Sequence, residues 1–264
     1  MMRRIGLAGM IVGAALALTG PALADKIVVG SYPANPPWEY KTDSGAFEGF
    51  EVDVANEVGK RLGMDVEFQD MGFQALFAAT ASGRIDFAIS SISITNDRLK
   101  NQSFTQPYYD SDGALVGKDG SQVKALEDLK GKVIGVDTGS TGDMWATQNQ
   151  TKYGFGDIRR FEGLQPAMLD LAAGRLDGYV SDIPALLYYS KDKPQYKVAQ
   201  RIPSGERYSI MFAKNSPLAG QVNEQITALK KDGTMASLHE KWFGAKPEAG
   251  TSTADVLDMP KPKS

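Results

Sequence analysis

The segment from Ala81 to Ser90 returns in closely similar form from Ala172 to Ser181, with Ala, Gly, Arg, Asp and Ser at matching places. Each copy closes a helix at a glycine, turns, and enters an apolar strand that finishes in polar residues. An internal echo of this kind constrains the fold strongly, because it asks for two related units that solve the same packing problem twice. Helix–glycine–turn–strand is common grammar in itself, but here it coincides with a block structure along the chain.

Both blocks alternate strand and helix signals, which argues for an α/β architecture. In the first, Lys26 to Val29 is a short β-branched run. Apolar residues at helical spacing (Val54, Val58, Leu62) follow, with Gly63 as the stop. Val66 to Phe68 reads as strand, Phe73 to Ser82 as helix, and Ile85 to Ile89 as strand. In the second, Val123 to Leu129 suggests a short helix, Lys132 to Val136 a strand, and Gly139 to Gln148 a helix. Pro166 to Ala173 is helical, Leu176 to Val180 is strand, and Ile183 to Ser190 is helix. Tyr208 to Ala213 offers a returning strand. Pro217 to Lys231 is amphipathic, and a final helix ends at Trp242-Phe243-Gly244. The stretch from Ala245 to Ser264 is rich in Pro, Lys, Ser and Thr and reads as a loosely ordered tail, although Val256, Leu257 and Met259 offer apolar anchors.

The first 24 residues read as an export signal. Arg3 and Arg4 precede an apolar stretch from Ile5 to Leu18, and Ala22-Leu23-Ala24 fits a small-x-small cleavage site, which starts the mature chain at Asp25. The apolar stretch is short for a membrane span, which needs roughly 20 residues, and Gly20-Pro21 interrupts it. Cleavage removes two arginines and no acid, so the formal charge moves from −3 to −5. A mildly acidic chain lacks the cationic field that captures phosphates, so nucleic acid is not an expected partner. The absence of cysteine excludes disulfides, thiolate metal sites and a lipid anchor. The single histidine, His239, sits in an amphipathic segment and reads as a partly exposed helix residue rather than a catalytic base. No ligand cluster or phosphate loop supports a metal or an organic cofactor.

Ligands in open α/β sheets collect beyond the carboxyl ends of the strands. The residues there are Tyr32, Asn35 and Trp38 after the first strand, and Ser90, Ser91, Ser93, Thr95 and Arg98 after Ile89. After Val136 come Asp137, Ser140 and Thr141, and after Val180 come Ser181 and Asp182. If the two units face one cleft, these sets converge and suit a zwitterion. A guanidinium at Arg98 grips a carboxylate bidentately, a helix entry near Thr95 offers N–H groups, and Asp182 accepts from an ammonium. Tyr32, Trp38 and Phe73 can cover apolar faces. Plainer readings stand beside these. Arg98 is also placed as a surface cation, Asp182 as a helix cap, the serines as turn residues, and Trp38 and Phe73 as core. Tyr109 and Tyr188 are expected to pack.

In order along the chain stand Gly49-Phe50-Glu51-Val52-Asp53-Val54-Ala55, the run Ile85 to Arg98, Phe104-Thr105-Gln106-Pro107-Tyr108-Tyr109, Asp128 to Val136, Asp232-Gly233-Thr234 and Lys241-Trp242-Phe243-Gly244. With these motifs, from Lys26 to about Gly244, the sequence resembles the amino-acid-binding proteins of ABC importers, the bacterial family 3 solute-binding proteins. The resemblance implies a two-lobed periplasmic-binding-protein fold with two hinge strands and a central ligand cleft. It divides the chain into lobe one (25–115 and 207–245), lobe two (116–206) and a tail (246–264). It implies a non-enzymatic, monomeric protein in the periplasm that closes on an amino acid or derivative and delivers it to an inner-membrane permease. By the same resemblance Arg98 holds the ligand α-carboxylate with Ser93 and the Ser140-Thr141 amides. Asp182 and Ser91 hold the α-ammonium, and Tyr32, Asn35, Trp38 and Phe73 line the side-chain pocket. The motif from Gly49 to Ala55 is expected to be structural. Relatives that bind basic or amide side chains often carry Asp where this chain has Tyr32, and a stacking aromatic where it has Asn35. The pocket is therefore open to a larger derivative such as an opine, while Asp137 can offer a charge to a cationic side chain. The fold also serves cyclohexadienyl dehydratases, in which Asp182 or Asp137 would act as the acid, and ligand-sensing modules.

Overall fold

The computed structural model describes residues 25–262; the proposed signal segment lies outside the described residues. Two five-stranded mixed sheets carry the fold. The first is built from β1 (Lys26–Ser31), β5 (Asp65–Asp70), β6 (Phe87–Ala88), β7 (Gln102–Phe104) and β13 (Met211–Ala213), in the order β5-β1-β6-β13-β7. The second contains β8 (Tyr109–Lys118), β9 (Val133–Asp137), β10 (Asp157–Phe161), β11 (Gly178–Asp182) and β12 (Tyr196–Tyr208), in the order β10-β9-β11-β8-β12. A small antiparallel sheet of β2 (Ala34–Asn35), β3 (Glu39–Lys41) and β4 (Phe47–Glu48) lies beside the first.

Helices cover both faces of each large sheet, which is why the central strands read as continuous apolar runs rather than alternating ones. On the first sheet, α1 (Phe50–Leu62), α7 (Leu218–Lys231) and α8 (Thr234–Phe243) pack on one side through Val54, Val58, Val222, Ile226 and Met235. On its other side α2 (Phe73–Ala81) contributes Leu76 and Ala79, and α3 (Asn96–Asn101) contributes Leu99. On the second sheet, α5 (Leu164–Ala172) and α6 (Ile183–Ser190) share one core with Tyr179. The opposite face packs against α4 (Thr141–Tyr153) and a 3-10 turn at Leu126–Leu129.

The echo has a physical cause. Gly83 and Gly174 both adopt positive φ, +71° and +72°, and end α2 and α5 at matching points. The acid three residues later does the same work in each unit. Asp86 Oδ2 accepts the Val28 N–H at 2.6 Å while its own N–H reaches Val28 O at 2.8 Å. Asp177 Oδ2 accepts from Val133 N at 2.9 Å, and its N–H reaches Val133 O at 2.8 Å. Each aspartate thus pins its strand to the parallel neighbour in its own sheet, β6 to β1 and β11 to β9.

Local signals place most elements but not all. The expected helix at 123–129 is only the short 3-10 turn, and β2, β3, β4, β7, β8, β10 and all of β12 before Tyr208 have no counterpart among the expected strands. The expected strand from Tyr208 to Ala213 divides, with Tyr208 ending β12 in the second sheet and Met211–Ala213 forming β13 in the first. The tail is not loose in its described part. Ser252 donates from N and Oγ to Asp110 at 2.6 and 2.5 Å. Leu257 N reaches Gln106 Oε1 at 3.0 Å, and the buried Lys230 ammonium donates to Asp255 O at 3.0 Å. Met259 packs on the first core, while Val256 stays exposed.

Candidate functional site

The strand ends of both sheets meet around a cavity of about 370 Å³. Every residue expected from the sequence lines it except Trp38. Trp38 is fully buried among Phe50, Tyr109, Tyr208 and Phe243, because its indole completes an aromatic cluster of the first core. Its place in the side-chain pocket is therefore corrected: its one polar atom, Nε1, donates to Asp182 Oδ2 at 3.1 Å from behind the cavity wall.

One end of the cavity holds a buried guanidinium and a helix N-terminus. The Thr95 side chain caps α3 by accepting from Arg98 N at 3.1 Å, which sets the start of the helix and aims Arg98 inward. Arg98 is only 9% exposed, and its guanidinium lies over the rings of Phe73 and Phe77, at 5.6 and 5.0 Å from their centroids. Nη1 donates to Ser93 O at 2.8 Å and Nη2 crosses to Gly139 O at 3.2 Å. Burial pulls its pKa down to about 10, with Glu206 partly opposing that, so it stays charged at neutral pH. Among the described residues no carboxylate lies within ion-pair distance of Arg98. Facing it is the N-terminus of α4, where Ser140 Oγ is spent as the cap on Asp143 N at 3.1 Å. The Thr141 hydroxyl points toward the cavity instead, at 2.6 Å from Glu206 Oε2.

The middle of the cavity is acidic. Asp182 ends β11 and caps α6, accepting from Ala185 N at a long 3.4 Å. The capping role is present, and the same residue also lines the cavity. Burial raises its pKa, and the Trp38 hydrogen bond works against that rise. Opposite stands Ser91, whose backbone takes φ +42°, a strained conformation for a residue with a Cβ. Three groups hold it there. Its N–H donates to both oxygens of Glu51 at 2.8 and 2.9 Å, its Oγ accepts from Asn35 Nδ2 at 2.8 Å, and Ser90 Oγ donates to Glu39 Oε1 at 2.7 Å. Glu39 and Glu51 are completely buried, and the Tyr108 hydroxyl also donates to Glu51. Two adjoining buried carboxyls cannot both ionise. Burial, together with Glu51, pushes Glu39 well above its ordinary value, so Glu39 keeps a proton that it shares with Glu51.

The far end offers a second negative site. Asp137 ends β9 and accepts from Gly163 N at 3.1 Å. Burial, reinforced by Asp182 and Glu162, raises its pKa to about 7. The Tyr32 hydroxyl is buried here without a hydrogen-bond partner, and burial next to Asp137 and Glu162 raises its pKa.

Sequence reasoning missed Glu206, Glu39 and Glu51. Glu51 left a trace, because it lies on the same helical face as Val54 and Val58 and is buried with them. Glu206 left none, since its position depends on a register shift in β12 between Ile202 and Glu206.

Comparison with known proteins places this geometry. The profile of bacterial extracellular solute-binding proteins, family 3, matches residues 27–245. The L-cystine-binding protein TcyJ of Escherichia coli is 32% identical over 223 residues, covering 83% of each chain. An L-arginine-binding protein of Pseudomonas aeruginosa is 32% identical over 254 residues, covering 92% of this chain and 97% of its own. Among solved structures, an ancestral arginine-binding protein bound to arginine superposes with a TM-score of 0.80 at 36% identity, covering 84% of this chain and all of that one. The arginine-, lysine-, histidine-binding protein ArtJ from Geobacillus stearothermophilus gives 0.79 at 34% identity, covering 85% and 97%. These relatives are binding proteins by name, and their likeness makes the two sheets the two lobes of a periplasmic-binding-protein fold. The chain belongs to the bacterial extracellular solute-binding proteins, family 3.

Proposed function

We propose that this protein captures a free amino acid with a cationic side chain and presents it to an ABC importer. The observation that carries this reading is the charge left without an ion-pair partner around the cavity. Among the described residues, Arg98 has no carboxylate in ion-pair reach, and Asp182 and Asp137 have no cation. A basic amino acid supplies one carboxylate for Arg98 and two cations for Asp182 and Asp137, while the third acid of the lining without a cation, Glu206, is met by the Ser93 and Thr141 hydroxyls. Its α-carboxylate would sit against Arg98 and the α4 N-terminus, its α-ammonium between Asp182 and Ser91, and its side chain would run past Phe73 and Asn35 to Asp137 and Tyr32. The arginine binders among the relatives favour the same class.

The chain divides, on this reading, into lobe one (25–115 and 207–245), lobe two (116–206) and the tail, with β8 and β12 as the hinge strands. A signal ending at Ala24 exports it to the periplasm as a monomer. Ligand binds the open cleft, and contacts available only on closure shift the equilibrium toward the closed form that docks on the permease.

The test is thermal unfolding of the mature chain, from Asp25, against all amino acids, cystine, an opine and prephenate. At 100 times Kd a ligand adds about 2.7 kcal/mol. Arginine, lysine or ornithine should therefore raise Tm by roughly 5–10 °C for a chain of this size. A rise with cystine or an opine alone would move the assignment to that class, and no rise with any amino acid would reject it.

A further inference from the structure

Ser93, one of the groups assigned above to the ligand's carboxylate, and the hydroxyl of Thr141 at the α4 N-terminus already meet a carboxylate from the protein itself. Glu206 Oε2 accepts from Ser93 Oγ at 2.5 Å and from Thr141 Oγ1 at 2.6 Å. Ser93 precedes α3 beside the first sheet, Thr141 opens α4 on the second, and Glu206 stands on β12 where that strand crosses back. One oxygen thus joins hydroxyls from both sides of the cavity.

The placement is built into the backbone. Ile202 pairs with Gly113 and Glu206 with Ser111, so β12 advances four residues while β8 advances two. The surplus forms a bulge, with Gly205 at φ +60°. Asp112 holds it by accepting from Ser204 N and Gly205 N at 2.8 and 2.9 Å and pairing with Arg201 at 2.6 Å. The charged groups that feel Glu206 are Arg98 on one side and Asp182 on the other.

We propose that Glu206 is an internal occupant of the carboxylate corner, taking the Ser93 and Thr141 hydroxyls in the empty cleft and yielding them to the ligand's carboxylate. This rests on the amino-acid reading of the site. Glu206 then sets how strongly a free carboxylate is accepted. An incoming carboxylate meets both competition for two donors and repulsion from a like charge, whereas a ligand with an amidated carboxyl group meets competition alone.

The experiment is calorimetric titration of the wild-type mature chain and Glu206→Gln with L-arginine and L-argininamide. Glutamine keeps the shape and an acceptor but removes the charge. The expected result is a Kd for arginine about 5- to 20-fold lower in E206Q, with a gain for argininamide at most half as large. An unchanged or weaker arginine Kd, or an equal gain for both ligands, overturns the proposal. Glu206→Asp, one methylene shorter and unable to span both hydroxyls, should give a smaller gain of the same sign, and it serves if E206Q does not fold. If neither the wild type nor the variants bind any amino acid, the capture reading fails first and takes this proposal with it.

Discussion

The indole Nε1 of Trp38 donates to the carboxylate of Asp182 across 3.1 Å, joining the aromatic core of the first lobe to the last residue of β11 in the second. Trp38 itself does not face the cavity. Its ring is fixed by edge contacts to Tyr109 and Tyr208 at 4.6 and 5.2 Å between centroids, so the N–H direction is fixed too. That donor keeps Asp182 more acidic than burial alone would, while the other oxygen, Oδ1, accepts from Ser181 Oγ at 3.3 Å.

Trp38→Phe therefore separates orientation from packing. The variant retains most of the aromatic contact and loses the one donor. A hydrogen bond to a charged group contributes about 1.5–3 kcal/mol, so amino-acid affinity should fall by roughly 10- to 100-fold in calorimetry while the fold persists. Loss of the donor also raises the Asp182 pKa further, so the fall in affinity on acidification should begin at a higher pH. Unchanged affinity would show that Asp182 needs no help from Trp38.

Asp137 gives the site a pH dependence near neutrality. Its carboxyl titrates at about 7 in the empty cleft, so below that value it is largely neutral. A cationic side chain favours the ionised form, so binding expels a proton and affinity rises as pH rises through 7. Arginine should bind up to about tenfold more tightly per pH unit below 7 and level off above it. Titrations in two buffers of different ionisation enthalpy should show proton release at pH 6.5. Asp137→Asn should abolish that release and weaken arginine by roughly 10- to 100-fold.

The buried pair Glu39 and Glu51 ties stability to pH. The folded pKa of Glu39 is raised, so the native state binds a proton that the unfolded state releases above its ordinary value of 4.5. Its contribution is fully present below that value and is lost as pH rises toward the folded pKa. Glu39→Gln replaces the protonated carboxyl with a neutral group that can still accept from Ser90 and donate to Glu51. Denaturant unfolding should show a smaller decline in stability from pH 5 to pH 8 in E39Q, with a gain of roughly 1–2 kcal/mol at pH 8. A parallel pH profile in both proteins would mean that Glu39 is ionised.

What the sequence makes legible is what is set within a few residues. Arg98, Asp137, Ser140 and Asp182 each follow closely on a strand, and the echo of Asp86 and Asp177 announces two equivalent units because the same local pin recurs. Contacts between distant segments are different. Trp38 reads as a pocket aromatic until Phe50, Tyr109, Tyr208 and Phe243 are seen to enclose it. Glu206 enters the cavity only because Asp112, on another strand, holds the bulge before it. The tail looks unattached by composition, yet its partners Asp110, Gln106 and Lys230 stand on β8, just before it, and on α7.

On the proposed reading, the cleft recognises a free amino acid by its carboxylate through Arg98 as well as by its cations. The direct measurement is calorimetric titration of the mature chain with L-arginine and with agmatine, which keeps the amine and the guanidinium but lacks the carboxylate. Agmatine should bind about 100-fold or more weakly, because its complex leaves the buried Arg98 without an anion. Equal affinity for the two, or tighter binding of agmatine, would contradict it.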